Sequence, residues 1–160
     1  MPPADAAGRA LAVDWYNCLI TVESYLRGRL VFEAEDGVVR DAAGLHGSYR
    51  ETDLTPRAVR AITAALGSLA PSRVEAFVDA PLAHSAETAG RLRDAWAHEA
   101  WPSAVCVEHS ADYRLKAFDG IVASADSAVL DAARAALDLA RRALELAWGF
   151  TPPPVGSLFP

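Results

Sequence analysis

Residues 10–17 read Ala10-Leu11-Ala12-Val13-Asp14-Trp15-Tyr16-Asn17, four apolar residues running into an aspartate. A short apolar run without alternation, closed by a polar residue, is the pattern of a strand covered on both faces of a sheet. The pattern returns three times: Val74 to Val78 before Asp79, Ala104 to Val107 before Glu108-His109, and Ile121 to Ala123 before Ser124-Ala125-Asp126. Helical spacing fills the intervals. Thr55-Pro56 sets a cap residue before a proline, and Val59, Ile62, Ala65, Leu66 and Leu69 then recur three or four apart. Ser85 is a candidate cap, with Leu92 and Trp96 on the apolar face of the next helix. After Ser127, the polar residues Asp131, Arg134, Asp138, Arg141 and Glu145 leave Leu130, Ala133, Leu137, Ala140 and Leu144 on one stripe, which predicts a single long helix.

Strands alternating with helices imply parallel pairing with crossovers, hence a three-layer α/β/α, Rossmann-like domain with a mainly parallel central sheet. In such sheets ligands bind beyond the carboxyl ends of the strands. Each proposed strand ends there in something polar.

At 160 residues and 52% hydrophobic content the chain suits one domain with a substantial core. Prolines gather at both ends, so residues 1–9 and 149–160 read as tails around a domain at 10–148. Residues 30–52 break the rhythm. Asp36-Gly37 between Val31-Phe32 and Val38-Val39 predicts a hairpin, and the glycines and charges that follow it predict a structured loop near the site. Trp148, Phe150 and the prolines after them offer a surface for a homodimer, a loose tail being the simpler account.

The formal charge of −6 argues against tight nonspecific binding to nucleic acid, although a bound metal reverses the field of an acidic site. Cys18 and Cys106 lie in apolar surroundings without metal-ligand spacing and read as small buried hydrophobes. With no leader pattern and no long apolar run, a cytoplasmic protein away from membranes is expected.

Asp14, Asp79, Asp112 and Asp126 are the candidate site. One aspartate at a strand end is commonly a turn former or cap. Several at one sheet edge repel unless protonated or neutralised, which favours a hard cation such as Mg²⁺ or Mn²⁺. Asn17 turns toward the same space or caps a helix, and Glu23 reads as solvent-facing. Arg40, Arg50, Arg114 and Lys116 are the candidate phosphate contacts, with a local Arg40–Asp41 ion pair as the alternative for the first. His46 and His84 are loop histidines suited to acid–base work or to backbone bonding.

The run Val13-Asp14-Trp15-Tyr16-Asn17 resembles the Val-Asp-Gly-Tyr-Asn opening of NYN and related PIN-like nucleases. Phe77-Val78-Asp79 looks like their second strand, Ser110-Ala111-Asp112 their third acidic position, and Ser124-Ala125-Asp126-Ser127-Ala128-Val129 their Thr-Ser-Asp-x-x-Leu motif. From about Leu11 to Ala140 the chain also resembles an uncharacterised prokaryotic family grouped with PIN-like proteins. The resemblance implies a PIN-like domain and metal-dependent phosphodiester hydrolysis, with RNA as the expected substrate. It makes Asp14, Asp112 and Asp126 the main ligands of Mg²⁺ or Mn²⁺, Asp79 an additional or water-mediated ligand, and Asn17 a positioner. Trp15 departs from the usual glycine, either packing the core or offering a face for a base, and the 30–52 insert has no counterpart in a minimal PIN domain. A binding or scaffold module of the same fold, and a hydrolase of small phosphoesters, are the rival expectations.

Overall fold

The computed structural model describes residues 3–44 and 48–159. Five strands form one sheet: β1 (Ala10–Asp14), β4 (Arg73–Asp79), β5 (Ser103–Glu108), β6 (Ile121–Ala123) and β7 (Ala136–Leu137), in the order β5-β4-β1-β6-β7. Every pairing in it is parallel. A hairpin, β2 (Val31–Glu33) and β3 (Val39–Asp41), stands apart as a two-stranded sheet. Six helices complete the fold: α1 (Trp15–Leu26), α2 (Thr55–Ser68), α3 (Ser85–Trp96), α4 (Ala111–Lys116), α5 (Ser127–Ala132) and α6 (Leu139–Trp148).

Side chains of successive strand residues point to opposite faces, and the core divides accordingly. Leu11, Val13, Val74, Ala76 and Val78 join α1, α2, α3 and α6 in the larger cluster. Ala12, Phe77 and Val122 meet Ala111, Leu115 and Val129 of α4 and α5 in a smaller one. The result is the three-layer α/β/α arrangement. Trp15 belongs to the core: it is 1% exposed and meets Trp96 edge-on at 5.7 Å between ring centroids. Base stacking on its face is thereby excluded. One glycine is required by close approach, since a Cβ at Gly120 would lie 2.6 Å from the Ala10 carbonyl oxygen.

Four sequence expectations need correction. The long helix after Ser127 is two helices broken by β7, because Ala136 and Leu137 extend the sheet beside β6 and Asp138 starts α6 by accepting from the Arg141 backbone N–H at 3.0 Å. Glu23 is buried rather than solvent-facing. It accepts hydrogen bonds from the hydroxyls of Tyr49 (2.5 Å), Thr52 (2.6 Å) and Thr55 (3.1 Å), and from Arg27 at 3.2 Å. Thr55 and Ser85 lie inside α2 and α3 by one residue, Leu54 and His84 holding the cap positions. The terminal segments are docked: Ala6 is fully buried, Phe150 packs on Tyr25 at 4.5 Å, and the Glu33 N–H donates to the Pro153 carbonyl at 2.8 Å.

The hairpin forms as expected around Asp36-Gly37, where Gly37 takes a left-handed φ of 78° and the Asp36 carboxylate accepts from the Val38 N–H. Among its bonds to the rest of the fold is one from Val39, whose N–H donates to the Asp138 carboxylate at 2.8 Å. Beyond the hairpin, Tyr49 meets Tyr16 of α1 at 5.6 Å between ring centroids. Among the described residues no helix is long and apolar enough to cross a membrane.

Candidate functional site

Strand order reverses direction at β1, with β4 and β5 to one side and β6 and β7 to the other. The crevice beyond the ends of β1 and β6 is the topological switch point where parallel α/β sheets bind their ligands. Asp14 closes β1 and Ser124, Ala125 and Asp126 follow β6, so both polar clusters reach this crevice. Their side chains are tied together. The Ser124 hydroxyl donates to Asp14 Oδ2 at 2.7 Å and its oxygen accepts from the Asp126 N–H at 3.0 Å. Asn17 lies in the first turn of α1, and its Oδ1 accepts from the Ala125 N–H at 2.7 Å. Asn17 therefore holds the loop that carries Asp126, a positioning role rather than a helix cap.

Asp14 is 4% exposed. Burial pushes its carboxyl up to about 7. The Ser124 hydrogen bond opposes that rise, and the negative charges of Asp79, Asp112 and Asp126 add to it. These four aspartates thus share one electrostatic neighbourhood at the C-terminal edge of the sheet. One oxygen of Asp79 accepts from the Ala111 N–H at 3.3 Å, and one of Asp126 from the Val129 N–H at 3.1 Å. Asp112 and Asp126 are exposed and Asp79 is half-buried.

The donor set is all carboxylate oxygen, which suits a hard divalent cation. Among the described residues, however, no three His, Cys, Asp or Glu side chains stand close enough together to hold one ion.

The basic candidates separate. Arg40 pairs with Asp36 at 2.7 Å, not with Asp41, and donates through Nε to the Ala125 carbonyl at 3.0 Å, which brings it beside the crevice. Arg114 pairs with Glu108 at 3.0 Å and lies over the Phe77 ring. Lys116 is exposed in the last turn of α4. Arg50 is exposed and lines a depression with Tyr16 and Tyr49. His84 pairs with Glu87 at 2.6 Å, and His46 lies outside the described residues. Cys18 is buried, as expected, and Cys106 partly so. An apolar hollow of about 290 Å³, walled by Trp15, Leu19, Val59 and Leu92, contains none of the four aspartates.

Sequence reasoning assigned no role to Ser124, although it stands in the Ser-Ala-Asp run. Its hydroxyl follows a strand beside two aspartates, a signal meaningful only once β1 and β6 are known to be neighbours.

A parallel five-stranded sheet covered by helices on both faces, with a polar crevice at its switch point, defines an α/β/α domain of Rossmann-like architecture. Residues 3–142 match the family described as "Domain of unknown function (DUF5616)", and the chain belongs to that family. It is also similar to the "Uncharacterized protein MJ0935" of Methanocaldococcus jannaschii, with 25% identity over 125 residues. That match takes in 77% of this chain and 58% of the relative, so the chain spans less than two thirds of the relative's length. No solved structure matches the chain.

Proposed function

We propose that this domain is a metal-dependent phosphodiester hydrolase of PIN-like type acting on RNA, with Asp14, Asp79, Asp112 and Asp126 at its centre. The observation that carries the reading is the state of Asp14, a buried carboxylate at the switch point with three further aspartates acting on its charge. Such an arrangement costs free energy in the absence of a cation and is relieved by one. A divalent ion bound there supplies an activated water and stabilises the departing oxygen.

The chain's own residues do the rest. Ser124 fixes one oxygen of Asp14 and leaves the other without a hydrogen-bond donor among the described residues. Asn17 holds Ala125, and with it the start of α5, so that Asp126 stays at the edge of the crevice. Arg40, paired with Asp36 and anchored to the Ala125 carbonyl, stands beside the crevice, where an arriving phosphate would compete with Asp36 for it.

A second reading, a binding module of the same fold without efficient catalysis, draws on the absence of any three-residue ligand group among the described residues and on the net charge of −6. Cleavage separates the two. The hydrolase reading expects Mn²⁺-dependent cleavage of single-stranded RNA, lost in Asp14→Asn and Asp126→Asn. Full cleavage by both variants would overturn it, and RNA binding without turnover would favour the module.

A further inference from the structure

Two depressions lie side by side along α1, of about 260 Å³ and 210 Å³, and Tyr49 and Arg50 line both. The first is also lined by Arg27 and Arg29, the second by Tyr16, Arg91 and His84. In a chain of net charge −6 this is a concentration of cations. Two of the arginines are matched locally, Arg27 by Glu23 and Arg91 by Glu51. Arg29 and Arg50 are exposed, and neither has a carboxylate partner among the described residues.

The bland role for arginines at the C-terminal end of a helix is to satisfy its last carbonyls. That role is already filled: the backbone N–H groups of Arg27, Gly28 and Arg29 donate to the carbonyls of Glu23, Tyr25 and Ser24. The guanidinium groups of Arg29 and Arg50 are exposed, and the helix end does not need that of Arg29.

Tyr16 ties this groove to the acidic crevice. It is 1% exposed, its hydroxyl is buried without a hydrogen-bond partner among the described residues, and it lines the second depression. The nearby Thr88 hydroxyl donates instead to Glu51, at 2.8 Å. Tyr16 is also two residues from Asp14, and beyond its burial and the nearby Thr88 hydroxyl it feels the charges of Glu51, Asp79 and Arg91.

We propose that the groove along α1 holds the phosphate backbone of a single-stranded RNA, with Arg29 and Arg50 each meeting one phosphate as the strand runs past Tyr16 toward the aspartates. The choice of RNA as ligand rests on the hydrolase reading above, while the groove itself rests on the arginines and Tyr16. Guanidinium groups suit this task because their planar donors match phosphate oxygens in pairs.

The test is fluorescence anisotropy with a labelled single-stranded RNA across a salt series in EDTA, so that neither metal nor cleavage enters the binding measurement. Each phosphate neutralised on a single strand contributes about 0.7 to the slope of log affinity against log salt. Arg29→Ala/Arg50→Ala is expected to reduce that slope by about 1.4 and to weaken binding about tenfold at low salt. Arg29→Lys/Arg50→Lys keeps the charges and is expected to restore the slope. Wild-type affinity and slope in the alanine variant, or no RNA binding by the wild type, would overturn the groove. A wild type that binds through these arginines yet never cleaves in Mn²⁺ would overturn the hydrolase reading and leave the groove standing.

Discussion

Ser124 and Asp14 are 110 residues apart in the chain, and the Ser124 hydroxyl donates to Asp14 Oδ2 at 2.7 Å in a buried contact. That bond ties the ends of β1 and β6 across the switch point, and the same Ser124 oxygen accepts from the Asp126 N–H within the loop after β6. The bond also tempers the cost of burying Asp14 by favouring its charged form.

That cost makes stability depend on pH in a definite direction. Burial and the neighbouring aspartates raise the Asp14 carboxyl from 3.8 to about 7 in the fold. Between those values the folded chain holds a proton that the unfolded chain has released. Asp14 therefore lowers stability as pH rises from about 4 to about 7, by at most ~1.4 kcal/mol per pH unit. Asp14→Asn removes the charge and keeps an acceptor for Ser124. In metal-free buffer it is expected to raise the melting temperature above wild type at pH 8 and to leave it close to wild type at pH 4, as read by circular dichroism. A variant that melts below wild type at pH 8 would show that Asp14 is not under this strain.

Glu23 supports the segment after the hairpin. Its carboxylate gathers three hydroxyls and one guanidinium, and Tyr49, whose hydroxyl is pushed well up by burial and by this carboxylate, stays a donor throughout the ordinary pH range. Glu23→Gln puts an amide donor against hydroxyl donors, and the expected loss is about 2 to 3 kcal/mol in urea unfolding. Tyr49→Phe should lose about half as much. Wild-type stability in Glu23→Gln would mean that the network does not hold the segment.

The C-terminal residues are expected to act within the monomer. Phe150 and Trp148 both pack on Tyr25, and Pro153 accepts from the Glu33 N–H of the hairpin. Ending the chain after Gly149 removes Phe150 and that backbone bond, and should cost about 1 to 2 kcal/mol in thermal or urea unfolding. Light scattering should give an unchanged oligomeric state. Unchanged stability together with a halved mass would instead make this segment a dimer contact.

The strands were legible because their signal is local: an apolar run ending in aspartate needs no knowledge of distant residues, and Asp14, Asp79 and the run before Asp126 all stand where such a reading sets them. The break after α5 was hidden by its own periodicity. Polar residues three or four apart continue through Arg134 and Asp138, while a two-residue strand has no period of its own. The clue was Leu137-Asp138, the same apolar-then-aspartate step that ends β1. Glu23 was misread for a different reason, since the residues that bury and bind it are 26 to 32 positions away. Arg29 and Tyr16 were equally silent. A groove is a property of neighbouring elements, and an unpartnered hydroxyl is visible only when its surroundings are known.

The central claim is that the aspartates at the switch point hold a divalent cation, and calorimetric titration of the metal-free protein with Mn²⁺ near pH 7.5 tests it most directly. Saturable binding to the wild type is expected, with affinity reduced at least about tenfold in Asp14→Asn, as the loss of one charged ligand implies. Absence of binding to the wild type, or equal binding by the variant, would contradict the account.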